Sequence, residues 1–165
     1  MPSLHFTLGP LTRADLAAID RLDAQAFGPG RYARTAYRLR EGVELDFALS
    51  FIARVGPMLV GANRMTPVAC GDRKALLLGP LTVEPAFHGR GIGTALIGRS
   101  LEAARDAGHG FVILVGDLAY YQRFGFVRVP PGRLVLPGPV DAARLLVCEL
   151  AEGALAGVEG AVGRG

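Results

Sequence analysis

A mixed α/β domain with a central β-sheet is what this chain should form, and three observations point to it. Apolar runs of strand length recur at 58–68, 75–83, 111–115 and 144–150. Between the second and third of these, Ala95, Leu96, Ile97, Leu101, Ala103, Ala104 and Ala107 make a wide apolar stripe at helical spacing, which Gly108 stops. The elements run strand, two helices, three meandering strands, then strand–helix–strand–helix–strand, a mix that is α+β or α/β around one sheet. At 165 residues the chain is one ordinary domain, able to bury roughly two thirds of its unfolded surface.

His5, Phe6, Thr7 and Leu8 form a first strand, closed by Gly9-Pro10. Thr12 and Asp15 have capping-box spacing and open a helix with Leu16, Ile19, Leu22 and Ala26 on one face; Gly28-Pro29-Gly30 breaks it. Residues 31–41 make a second, strongly basic helix or pair of turns. Tyr32, Ala36 and Leu39 face inward there, and Arg31, Arg34 and Arg38 share another face. Residues 46–53 read as a strand, 55–57 as a turn, and 58–68 as a strand with a bulge at Gly61. Gly71-Asp72 turns the chain into the strand at 75–83. Beyond residues 111–115, Asp117 N-caps a short helix carrying Tyr120 and Tyr121, and 144–150 is the final strand. From Glu152 onward the chain is rich in Gly and Ala with little to bury. Residues 1–155 are therefore expected to be the domain and 156–165 a flexible tail.

Composition narrows the function. Apolar residues make up 50% and charged ones 20%, which suits a globular protein. Of the 18 basic residues only Lys74 is lysine, and the net charge of +3 with no long basic run argues against nucleic acid. Cys70 and Cys148 have neither the number nor the spacing of a disulfide framework or a zinc site, and both sit in apolar settings that suit packing. No metal site is expected. No apolar stretch approaches the roughly 18 residues of a membrane span, and no signal-like start is present, so a soluble cytoplasmic protein is expected.

The chemistry is concentrated in residues 76–108. An apolar strand ending in Leu81, Thr82 and Val83 leads to a loop in which Gly89, Gly91 and Gly93 alternate with Arg90 and Ile92, and then to the long helix. A glycine loop feeding a helix N-terminus offers unpaired backbone N–H groups and the positive end of the helix dipole to an anion. Arg90 adds a permanent charge. This is a diphosphate cradle. It is not a Walker A loop, which needs Lys followed by Ser or Thr. Nor is it a dinucleotide fingerprint, which needs two residues between its second and third glycines.

The stretch His88-Gly89-Arg90-Gly91-Ile92-Gly93 resembles the acetyl-CoA loop of the Gcn5-related N-acetyltransferases (GNATs), Gln/Arg-x-x-Gly-x-Gly/Ala, with His88 where Gln or Arg is usual. The segment Tyr121-Gln122-Arg123-Phe124-Gly125-Phe126 is similar to that family's Tyr-x-x-x-Gly-Phe signature, in the right order along the chain. The wider wording of both segments resembles the bacterial YhbS-like acetyltransferases.

The resemblance implies a mixed, mostly antiparallel sheet splayed between its fourth and fifth strands. Acetyl-CoA would be the co-substrate, its pantetheine along Leu81, Thr82 and Val83. Its diphosphate would lie on His88, Gly89, Arg90, Gly91, Ile92, Gly93 and Thr94. The acceptor would be an unidentified primary amine of a small metabolite or peptide. Tyr121 takes the family position of the acid that protonates the departing thiolate; Tyr120 is left as packing. The glutamate that some members carry in the fourth strand is missing, since Ala75, Leu76, Leu77 and Leu78 stand there. Glu41, Glu44 and Asp46 are the candidates for a base or an amine-binding anion, unless a water chain or an acceptor amine of low pKa makes a dedicated base unnecessary; Glu84 reads as a loop residue, and His88 as a ligand contact or an exposed side chain. The arginines of 31–41 either form a solvated face or favour an acceptor bearing carboxylate or phosphate. The alternative to an enzyme is a CoA-binding sensor without turnover. A homodimer pairing through the final strand is a further possibility.

Overall fold

Two long neighbouring strands, β3 (Met58–Cys70) and β4 (Arg73–Val83), set the frame of a computed structural model that describes residues 4–28 and 34–165. β1 (Thr7–Pro10) and β2 (Phe51–Val55) continue the sheet antiparallel on the β3 side. β5 (Phe111–Val115) continues it parallel on the β4 side, followed by β8 (Leu145–Glu149) and β6 (Val127–Arg128). The expected mixed, mostly antiparallel sheet is what forms.

The apolar runs of β4, β5 and β8 are continuous because both faces of the sheet are covered. Leu76, Leu78, Val112, Leu114, Leu146 and Cys148 pack on one face, and Ala75, Leu77, Phe111, Ile113, Leu145 and Val147 on the other. Helix α3 (Ile92–Asp106) covers the first face with Ile97, Leu101 and Ala104. Helix α2 (Thr35–Arg40) places Leu39 on the second. Helix α1 (Leu16–Phe27) buries Ile19 and Leu22. Its approach is fixed where the Thr12 backbone N–H donates to Asp15, at 2.9 Å, as the capping-box spacing anticipates. Cys70 and Cys148 are buried and reduced, and burial pushes the Cys70 thiol up to about 11.

One feature of β4 creates the site. It pairs with β5 only where Leu76 meets Val112 and Leu77 meets Ile113. Just beyond, Gly79 and Pro80 form a bulge: Met65 opposes Leu78 and Asn63 opposes Leu81, leaving Arg64 across from both. Gly79 has φ +113°, a conformation a side chain would strain, and Pro80 has no N–H for a ladder. From here β4 and β5 diverge, so the β4 edge at 78–83 has no strand partner among the described residues.

Four readings need correction. Residues 46–53 are not one strand: Phe47–Leu49 is a 3₁₀ turn, because the Asp46 carboxylate accepts from the Ala48 N–H at 3.0 Å and bends the chain before β2. In β3 the extra residue of the bulge against β2 is Val60, between Leu59 and Gly61. The tail is not frayed either. Gly160–Arg164 forms β9, antiparallel to β3 at Val68, Ala69 and Cys70, and parallel to β7 (Leu134–Val135). β2 stops short of that end of β3, and the vacant edge takes another strand; Val158 and Val162 are buried by it. Finally, 144–150 is not available to a second copy, since β8 pairs with β5 on one side and β6 on the other.

Of the basic segment, 31–33 lie outside the described residues, and α2 begins at Thr35. No helix among the described residues is long and apolar enough to cross a membrane.

Candidate active site

The glycine loop owes its shape to backbone conformation. Gly89 and Gly91 have φ of +74° and +85°, and a Cβ at either would meet nothing within 4 Å, so open space lies above both. α3 starts at Ile92, which puts Gly93 and Thr94 in its first turn, where N–H groups lack helical acceptors. The Ile92 side chain is core, packed with Phe51, Val60 and Leu96, and leaves only its main chain to a ligand. Arg90 is exposed beside the loop. The His88 ring lies 2.8 Å from the Val83 carbonyl and donates to it through Nε2, tying the loop to the end of β4. His88 thus braces the loop while remaining exposed, as one of its two expected roles has it.

Across the fork, Asp117 caps α4 (Leu118–Tyr121), its carboxylate accepting from the Ala119 N–H at 3.1 Å. The two tyrosines of α4 then part company. The Tyr120 hydroxyl reaches toward α3, where a Cβ on Gly93 would come within 2.9 Å of it. The Tyr121 ring turns toward β5 and fills the place of a side chain at Gly116, 2.7 Å from where that Cβ would stand. It makes edge contacts with Tyr120 and Phe126, at centroid distances of 4.9 and 5.8 Å. Gly125, at φ +93°, ends this turn and sends Phe126 into the core. The Tyr-x-x-x-Gly-Phe pattern therefore aims a phenol into the fork and anchors it from behind. Burial, with Tyr120 beside it, pushes the Tyr121 phenol up to about 12 against the opposing pull of Arg144.

A cavity of about 900 Å³ fills the fork. Leu78 to Leu81 of β4, Leu114 to Gly116 of β5 and both tyrosines line it on the sheet side. Residues 82–94 do not. Tyr120, whose hydroxyl meets Gly93 of the glycine loop, is itself part of the cavity lining.

A model of the acetyltransferase (GNAT) domain matches residues 47–128. The uncharacterised N-acetyltransferase YjhQ of Escherichia coli (strain K12) is 32% identical over 74% of this chain and 70% of its own length. The chain belongs to the GNAT acetyltransferase family. The uncharacterised E. coli N-acetyltransferase YhbS is 29% identical over 90% of this GNAT chain and 89% of its own. Its crystal structure in complex with CoA matches with a TM-score of 0.84, covering 100% of this chain and 92% of that one. A GNAT acetyltransferase from Brucella melitensis in complex with acetyl-CoA matches with a TM-score of 0.62 at 28% identity, over 92% and 99% of the two chains.

None of the carboxylates nominated as base in this GNAT domain lines the cavity. Glu44 pairs with Arg13 at the surface, Asp46 is the cap of the 3₁₀ turn, Glu41 is exposed, and Glu84 precedes the turn at Pro85–Phe87. Four other carboxylates, Asp20, Asp23, Asp117 and Asp141, do line it, and of these Asp23 of α1 is the buried one, only 3% exposed. Thr82 Oγ1 donates to its Oδ1 at 2.6 Å, and Arg64 Nη2 donates to Oδ2. The Thr82 side chain is thus committed to Asp23. Burial raises the Asp23 pKa in spite of Arg64 and Thr82, which pull the other way.

Of the arginines of 31–41, Arg34 and Arg38 are exposed, as a solvated face would have them, but Arg40 is not. Arg38 reaches the Pro137 carbonyl at 3.4 Å, while Arg34 lines the cavity and lies over Phe27. Arg31 falls outside the described residues. Arg40 turns inward, its Nη2 3.2 Å from the place of a Cβ on Gly79. Burial, and then the neighbouring Arg64, press the Arg40 guanidinium down to about 9.

Asp23 and Arg64 escaped the sequence reading, and Arg40 entered it only as one of the arginines of 31–41, although each left a trace. Asp23 stands one turn beyond Ile19 on the apolar stripe of α1. Arg64 is the single charged residue in the strand at 58–68. Arg40 falls off the face shared by Arg34 and Arg38.

Proposed function

We propose that this protein transfers the acetyl group of acetyl-CoA to a primary amine of a small metabolite or peptide. The observation that carries this reading is the fork itself. A helix start preceded by two positive-φ glycines stands on one side of it, and a half-buried, uncharged phenol on the other. The likeness to YhbS and the Brucella enzyme, whose structures hold CoA and acetyl-CoA, supports the same co-substrate here.

The residues divide the work as follows. Main-chain N–H groups of residues 89–94, helped by Arg90, hold the diphosphate. The partnerless β4 edge at Leu81, Thr82 and Val83 binds the extended pantetheine arm through its main chain. The acceptor enters through the cavity, and its neutral amine attacks the thioester carbon. The C–S bond breaks, Tyr121 gives its proton to the departing sulfur, and the nitrogen proton leaves to water. The tyrosinate is then reprotonated from solvent.

Release of free thiol from acetyl-CoA, followed across a panel of amines, tests this. Acceptor-dependent release with formation of the N-acetyl product is the expected result. Tight CoA binding with no release for any amine would select a sensor that does not turn over.

A further inference from the structure

We infer that the acceptor carries an oxyanion, a carboxylate or a phosphate, and that Arg40 and Arg64 bind it at the inner end of the fork. This rests on the acetyl-transfer reading and names its substrate class. Two arginines from different elements meet here beside the β4 bulge, and both line the cavity. The Nε of each is buried and has no hydrogen-bond partner among the described residues. A buried N–H donor without an acceptor is unfavourable, and two such donors in adjacent guanidinium groups mark a place for a missing acceptor.

The surrounding charges agree. Asp23 feels Arg64, Arg40 and Asp20, and Arg40 feels Arg64, Asp23 and Arg34. Around Asp23 and Arg40, three guanidinium groups therefore face two carboxylates, although the whole cavity lining balances four arginines against four aspartates. Asp117 and Asp141, which also line the cavity, are engaged as caps toward the Ala119 and Ala143 N–H groups, with Arg144 near them. An oxyanion suits this place, because it accepts from guanidinium N–H groups and offsets the local surplus of positive charge beside Arg40. A polyamine would add positive charge instead.

The experiment uses matched acceptors that differ in one anionic group: amino acids against their carboxamides, and O-phosphoethanolamine against ethanolamine. Thiol release is read as kcat/KM, and binding to the CoA-loaded protein by calorimetry. An anionic member is expected to be favoured by about tenfold or more, and the favoured pair tells carboxylate from phosphate. In Arg40→Met and Arg64→Met the preference should shrink to about twofold or less. Arg40→Lys should retain part of it, and CoA affinity in Arg40→Met and Arg40→Lys should match the parent protein, showing that both are folded.

Equal use of both members of every pair, or a preference for the neutral ones, overturns the inference and leaves acetyl transfer standing. So does an anion preference that survives both arginine variants. Anion-selective, Arg40-dependent binding without thiol release keeps the subsite and removes the transferase. Neither binding nor release removes both.

Discussion

The Tyr120 hydroxyl and Gly93 meet so closely that no side chain fits between them: a Cβ on Gly93 would stand 2.9 Å from Oη. This contact joins α4 to the first turn of α3 at the boundary between glycine loop and cavity. Gly93→Ala should lower CoA affinity about tenfold by displacing the hydroxyl into the fork. The fold should hold, since Gly93 is helical and alanine is the better helix former by about 1 kcal/mol. Adding Tyr120→Phe should restore most of the affinity. Calorimetry on the two single variants and the double variant measures the coupling, and independent effects would refute it.

Tyr121→Phe is expected to reduce kcat by about 10²- to 10⁴-fold while CoA affinity changes less than about twofold. The ring is kept, so its contacts with Gly116 and Phe126 survive. Tyr120→Phe should retain kcat within about threefold. Reversal of this ranking would transfer the acid role to Tyr120.

The Tyr121 phenol also links stability to alkaline pH. Its pKa in the fold is about 12 against the ordinary 10.0 of a free phenol side chain, so the folded state holds the proton more tightly than the unfolded chain. Stability from this group is complete below pH 10 and is lost as pH rises through about 12. The loss amounts to about 2–3 kcal/mol. Denaturant melts at pH 9 to 12 should show this loss relative to Tyr121→Phe, which lacks the group. Parallel curves would exclude it.

Asp23→Asn should destabilise the fold by about 2–4 kcal/mol, because Arg64 and Arg40 are then left facing each other without their buried carboxylate. Combining it with Arg40→Met should recover a substantial part of the loss. Thermal melts of the single and double variants decide; strict additivity would mean that Asp23 does not offset Arg40.

The parts of this protein that could be read from the chain are those whose signal is local. Alternating glycines ahead of a helical stripe need nothing distant to define a helix start, and α3 begins inside that loop. Asp117 is legible as a cap because its partner, the Ala119 N–H, lies two residues away. The turn at Phe47–Leu49 is equally local, but an apolar sequence hides it, since alternation alone does not separate a strand from a strand preceded by one capped turn.

By itself, the sequence determined the apolar strands, the helix with its glycine entrance, and the tyrosine pair held by Gly125 and Phe126, through backbone conformations and periodicities acting over a few residues. Tertiary structure alone decided where β4 and β5 part, that β9 completes the free end of β3, and that α1, α2 and β3 bring Asp23, Arg40 and Arg64 to one place. The physical reason is range. Strand-edge pairing and the mutual burial of charges depend on partners tens of residues apart, whose meeting is set by the packing of the whole sheet.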